Sequence, residues 1–254
     1  MNVPVLHARA LDGLPHGFLG RRGGVSEGIV AGLNVGLGSQ DDRAAIAENR
    51  CRAVEAVLPG AKLVTLHQVH SPDTIAVTAP YPDDARPHAD ALATATPGLL
   101  LGILTADCAP VLLADREAGV VGAAHAGWKG ALGGVTDSVV AAMETLGARR
   151  ERIAAAVGPC IARASYEVDE GFFRRFCEAD PENERFFLDG RAGHHQFDLE
   201  AYVGARLAAA GIGHVELLGA DTYANAQAYF SFRRATHRGE ADYGRQIALI
   251  GLPA

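Results

Sequence analysis

The chain reads as one α/β to α+β domain, residues 1–254, with mixed β-sheets flanked by helices. Three observations predict this. The middle of the chain, GLLLGILTADCAPVLLADREAGVVGAAHAGWKG, holds three short apolar runs, Leu99–Thr105, Pro110–Ala114 and Val120–Ala124, bounded by turn residues as in strands buried on both faces. Segments of strand and helix character alternate on either side of it. No repeat, low-complexity tract or linker divides the chain, and 48% hydrophobic composition over 254 residues supplies a large core.

Before the middle, Gly17–Leu19 reads as a strand. A helix follows from Asp41 or Asp42, which supply the N-cap, to Leu58, with Ile46, Val54, Val57 and Leu58 near one face. Lys62–Val69 and Thr74–Thr78 have strand character, and Pro80–His88 (PYPDDARPH) reads as a loop with His88 at the surface. After the middle, the pattern predicts a helix over Gly130–Leu146, ended by Gly147, and a strand over Ile153–Val157. Helices over Glu170–Glu178 and Leu199–Ala210, the latter capped by Asp198, precede strands at Val215–Leu218 and Gln246–Ile250.

A formal charge of -7 and a pI near 5.8 argue against a nucleic-acid partner, since phosphate affinity comes from clustered Lys and Arg. The N-terminus lacks the charged and apolar regions of a signal peptide. The longest uncharged run, Ala91–Ala106, is too short and too interrupted to span a bilayer, so the expected location is the cytoplasm with no membrane partner. Four scattered cysteines make no disulfide framework there, and each is core filler, ligand or nucleophile.

Two of the chemistry-bearing residues lie on one hairpin. Pairing Asp115 with Gly119 across the DREAG turn places residue 109 opposite His125 and Cys108 beside it. A third ligand is sought in TLHQVH. If that segment is a strand, His67 and His70 face opposite ways, and His70, at the strand end before Ser71 and Pro72, is the better placed. Two imidazoles and a thiolate suit zinc better than copper and leave a coordination position for water or substrate. The plainer alternative, compatible with the same spacing, makes Cys108 a small core residue and the histidines satisfied polar groups.

The blocks HGFLGRRGGVS, GLNVGLGSQDD with ENR, HQVHS, TADCAPVLLAD, GAAHAGWKG, VGPCIARASYEV and YFSFRRATHRGEADYGRQIALIGL run through nearly the whole chain. Together they resemble the YfiH-like laccase-domain proteins, also called peptidoglycan editing factors and purine nucleoside phosphorylases. The resemblance implies a zinc site from His70, Cys108 and His125, choosing His70 over His67. It implies phosphorolysis of adenosine, inosine and methylthioadenosine, with adenosine deaminase activity, and a fold likened to cysteine hydrolases. Ser165 stands where relatives often carry a cysteine, and Ser71 where they usually carry glycine.

Phosphorolysis requires an anion site beside the reacting carbon. Gly127, Trp128, Lys129 and Gly130 open a helix and offer backbone N–H groups and a charge, and Arg233, Arg234 and Arg245 are further cations. Asn34 is a candidate substrate contact that also suits a turn, and Asp107 is expected to orient His125 or act as acid or base. Cys160 reads as a packing residue. The expected partners are thus a purine nucleoside and phosphate, with the chain a monomer or small homo-oligomer.

Other chemistries are weaker. Gly24-Val25-Ser26-Glu27-Gly28 matches G-x-S-x-G but lacks an amphipathic helix after it. Gly122 and Gly127 have P-loop spacing, with Trp128 and Lys129 in the wrong places. A cysteine hydrolase or amidase acting on peptidoglycan precursors, with Cys108 activated by His125, is a distinct alternative. So are a copper polyphenol oxidase and a partner-binding protein without catalysis.

Overall fold

The computed structural model describes residues 3–254. Its mixed sheets and flanking helices are those expected. A six-stranded sheet runs in the order His214–Leu217, Ala154–Val157, Ala109–Asp115, Val120–Ala126, Ala91–Thr94, Thr74–Ala76. A five-stranded sheet runs Val5–Leu6, His16–Leu19, Gln246–Gly251, Leu99–Thr105, Lys62–Val64. The two face each other, and strand alternation sorts their side chains into layers. Leu112 and Ala114 point between the sheets, joining Leu101, Ile103, Ala248 and Ile250. Val111 and Leu113 point the other way, toward helices Val135–Thr145 and Leu199–Ala209. The outer face of the five-stranded sheet is covered by helix Arg43–Val57, which Asp42 caps by accepting from the Ala44 and Ala45 amides. No described helix is long and apolar enough to cross a membrane.

Three sequence expectations need correction. The turn after Asp115 is one residue longer, because the Asp115 carboxylate accepts from the Glu117 and Ala118 amides, so Asp115 pairs with Val120 and His125 lies opposite Pro110. The strand begun at Lys62 stops at Val64. Beyond it the Gln68 side chain bonds the Leu104 carbonyl and amide (2.7 and 2.9 Å), taking the place of a backbone ladder. The helix expected over Gly130–Leu146 is two helices, Trp128–Gly133 and Val135–Thr145, broken where Gly134 takes a left-handed φ of 94°. The uncharged run Ala91–Ala106 divides at Gly98 (φ 77°), and its halves enter different sheets.

A small three-stranded sheet, Glu167–Asp169, His194–Phe197 and Phe187–Asp189, was not foreseen. With helix Glu170–Ala179 it forms an aromatic cluster in which Phe172 packs 5.0 Å from Trp128. This anchors the indole beside the site.

Candidate metal centre

His70, Cys108 and His125 come together with one ligand atom from each, all within 4.8 Å of one another. His125 lies on the central strand Val120–Ala126. Cys108 precedes the neighbouring strand, and its Sγ is 3.8 Å from His70 Nε2. His70 sits in the turn after Val64 with φ 63°, so its choice over His67 rests on that turn rather than on strand periodicity. His67 lies outside the cluster, its ring stacked 4.4 Å from that of exposed His88.

The carboxylate that organises the cluster is Asp90, which no spacing argument had named. Fully buried, it accepts from His125 Nδ1 through Oδ1 (2.7 Å) and from the Val69 and Ser71 amides through Oδ2 (3.0 and 2.7 Å). One side chain therefore orients one imidazole, leaving its Nε2 for the cluster, and clamps the turn that carries the other. Burial alone would push the Asp90 carboxyl up, but the His125 bond and charge and the two amides outweigh it and hold it at about 2.

Burial likewise opposes the charged forms of Cys108 and His125. The imidazolium of His125, with hydrogen bonds from His125 and His70, nevertheless brings the thiol down to about 6. The thiolate and Asp90 in turn raise His125 to about 9.

Asp107 does not fill the orienting role expected of it. Its carboxylate accepts from Thr222 Oγ1 (2.6 Å), Ser231 Oγ (2.9 Å) and the Arg233 amide (2.7 Å). Burial pushes this carboxyl up despite those donors. Asp107 has φ 87°. It and His70 are the two non-glycine residues with positive φ in the described chain, so backbone strain gathers next to and within the cluster. Asp107 thus positions Cys108 through the backbone.

Gly127 is needed for space. A Cβ there would lie 2.9 Å from both Cys108 Sγ and His70 Cδ2. Gly127→Ala is expected to weaken metal binding by about tenfold or more, the effect of disturbing ligand-supporting groups, as measured by competition with a chromophoric chelator.

The other candidates divide. Asn34 is fully buried and spends its side chain on Ser39, Asp41 and the Gly36 and Arg245 amides, so it builds the pocket wall rather than meeting substrate. Lys129 is exposed, its Nζ 5.5 Å from the Trp128 ring centroid, and lines neither cavity beside the cluster, because the short helix turns it outward. Arg234 is buried against the Thr222, Tyr223 and Tyr229 carbonyls and locks the fold. Arg245 lines a cavity of about 360 Å³ on one side of the cluster, and Arg233 one of about 210 Å³ on the other. Cys160 is buried packing, its thiol pushed well up by burial, and Ser165 bonds Asp221 (2.6 Å). Ser26 is buried and bonded to Asp41 (2.6 Å), with no α-helix after it, so no serine nucleophile stands there.

The family model described as multi-copper polyphenol oxidoreductase laccase matches residues 15–253. The chain belongs to this family. It is similar to a protein of Deinococcus radiodurans named purine nucleoside phosphorylase, 44% identical over 99% of this chain and 94% of that one. A Corynebacterium glutamicum protein of the same name is 36% identical over 93% of each chain. Among solved structures, NMB0706 of Neisseria meningitidis superposes with a TM-score of 0.88 at 32% identity over the full length of both. YlmD of Geobacillus stearothermophilus gives 0.88 at 31%, covering 97% of this chain and 94% of that one. A Bacillus licheniformis YfiH structure is also similar, with a TM-score of 0.84. The YfiH-like resemblance read from the sequence motifs is thus met at the level of the whole fold.

Proposed function

We propose that this chain is a zinc-dependent purine nucleoside enzyme of the cytoplasm, cleaving adenosine, inosine and methylthioadenosine with phosphate and also deaminating adenosine. The observation that carries the reading is the cluster itself: two imidazoles and a thiolate meet between two cavities, in a chain whose relatives bear the name purine nucleoside phosphorylase. The donor set fits zinc, with His70, Cys108 and His125 as ligands and one position left open. Bound there, the ion supplies Lewis acidity toward a substrate oxygen or a water molecule.

In phosphorolysis a phosphate oxygen bonds to the anomeric carbon as the bond to the purine nitrogen breaks. The electron pair leaves with the purine, and the proton of hydrogen phosphate ends on the base. The chain's own contribution is to hold both partners against the cluster and to keep His125 fixed through Asp90.

Ligand protonation gives a direct check of the metal reading. Between pH about 6 and about 9 the empty pair stands as thiolate and imidazolium. Zinc binding at pH about 7.5 is therefore expected to release about one proton, from His125, and fewer as the pH passes 9. Calorimetric titration in buffers of different ionisation enthalpy reads this number.

One observation favours a second reading. Cys108, His125 and Asp90 also form a nucleophile, base and orienting carboxylate, the arrangement of a cysteine hydrolase or amidase of peptidoglycan precursors. Coupled copper oxidation has less support, since the described residues hold one compact ligand set and no further histidine-rich cluster. The test is incubation with inosine, with and without phosphate. The proposal expects hypoxanthine and ribose 1-phosphate only when phosphate is present, with loss on chelation and recovery with zinc. Phosphate-independent turnover that survives chelation and dies on thiol alkylation would favour the hydrolase.

A further inference from the structure

The two cavities that share the cluster differ in character. Arg86 and Arg245 line the larger one, and no carboxylate does. Neither guanidinium meets a carboxylate among the described residues. Arg86 bonds the Asp83 and Leu66 carbonyls, and Arg245 bonds only the Tyr243 carbonyl (3.3 Å). The aromatic rings on this side are already covered: Arg245 lies 4.2 Å over Tyr243, and His67 is stacked on His88. Gly36 gives Arg245 its place, because a Cβ there would come within 2.8 Å of Arg245 Cδ.

The smaller cavity carries three aromatic rings, Trp128, Tyr166 and Phe232, with Ile161 and the Asp107 carboxylate also in its wall. Its one guanidinium, on Arg233, is engaged by the Glu167 carbonyl (2.7 Å) and lies 5.1 Å from the Tyr166 ring centroid. Phe232 is 49% exposed and packs with its ring centroid 5.1 Å from that of Tyr243, at the boundary of the two cavities. An exposed aromatic ring stacks a planar base, and two guanidiniums with no carboxylate partner attract an oxyanion.

Resting on the phosphorolysis reading above, we propose that the site is two-sided: phosphate binds at Arg86 and Arg245, and the purine binds against Phe232, Tyr166 and Trp128. The sugar then bridges them across the cluster. Phosphate and base occupy separate cavities, so their affinities are separable by substitution.

Trp128 is the chain's one tryptophan, so its fluorescence reports the aromatic side directly. With the metal-loaded protein, hypoxanthine is expected to change that emission saturably, while inorganic phosphate alone does not. Phe232→Ala is expected to weaken the hypoxanthine response by about tenfold and raise KM for inosine similarly. Arg245→Gln is expected to raise KM for phosphate by about tenfold or more and leave the hypoxanthine titration unchanged. Gly36→Ala should follow Arg245→Gln in direction, by displacing the same side chain.

An Arg245→Gln protein with altered hypoxanthine binding and unchanged KM for phosphate would overturn the assignment, as would a Trp128 signal that responds to phosphate and not to hypoxanthine. If wild-type protein binds hypoxanthine at Trp128 but shows no phosphate-dependent cleavage, the phosphorolysis reading fails while the purine side stands.

Discussion

Cys108→Ala is expected to remove bound metal and turnover together. The cluster offers three ligand atoms, so losing the thiolate would leave two imidazoles, a set too poor to retain zinc against a chelator. The fall in metal affinity should exceed about 100-fold, more than that from disturbing a supporting group. The fold should survive, because Cys108 lies at the mouth of a strand whose core contacts come from Val111, Leu112 and Leu113. Metal content and inosine cleavage measured on the same preparation check the prediction. An active, metal-free Cys108→Ala protein would reject the mechanism.

Asp90→Asn is the second large effect, and it acts on both histidines at once. The carboxylate gives one oxygen to His125 Nδ1 and the other to the Val69 and Ser71 amides. An asparagine that keeps its oxygen on the amides turns its NH₂ group toward His125. The imidazole must then accept at Nδ1 and carry its proton at Nε2, where the ligand lone pair is needed. Metal affinity is expected to fall by about 10 to 100-fold, and turnover with it.

Stability should fall too. Asp90 has a folded pKa depressed to about 2, so its stabilisation is fully present above the unfolded value of about 3.9 and is lost as the pH falls through about 2. The gap is worth about 2 to 3 kcal/mol in the metal-free protein. Urea unfolding at pH about 7 and about 3 should show the wild-type and Asp90→Asn proteins closer together at the lower pH.

The central strands were legible because continuous apolar runs between turn residues admit few other readings, and residues 99–126 form strands within a residue or two of expectation. The hairpin register was off by one because Asp115 folds its own turn, which no spacing rule anticipates. Even so, the slip left Cys108 beside His125.

Asp90 was hidden for a different reason. It lies 35 residues from His125, and its role follows only once Ala91 is paired with Ala124, which sets Asp90 beside His125. That pairing depends on Ala91–Thr94 forming a strand, and Ala-Leu-Ala-Thr, with one large apolar residue in a longer uncharged run, carries little strand signal. Asp107 attracted attention by adjacency to the ligand cysteine, yet its carboxylate turns toward Thr222, Ser231 and Arg233, which are more than a hundred residues away in the chain. Arginines gave no such warning either: Arg233, Arg234 and Arg245 look alike in sequence, and only burial separates the fold-locking Arg234 from the two that reach a cavity.

The measurement that bears most directly on the three-ligand site is metal analysis of the protein purified without a histidine tag. The predicted result is about one zinc ion per chain, lost together with phosphate-dependent inosine cleavage on chelation and restored with it. Protein that is free of zinc and fully active would contradict the site's proposed role and leave Cys108 to act as a nucleophile.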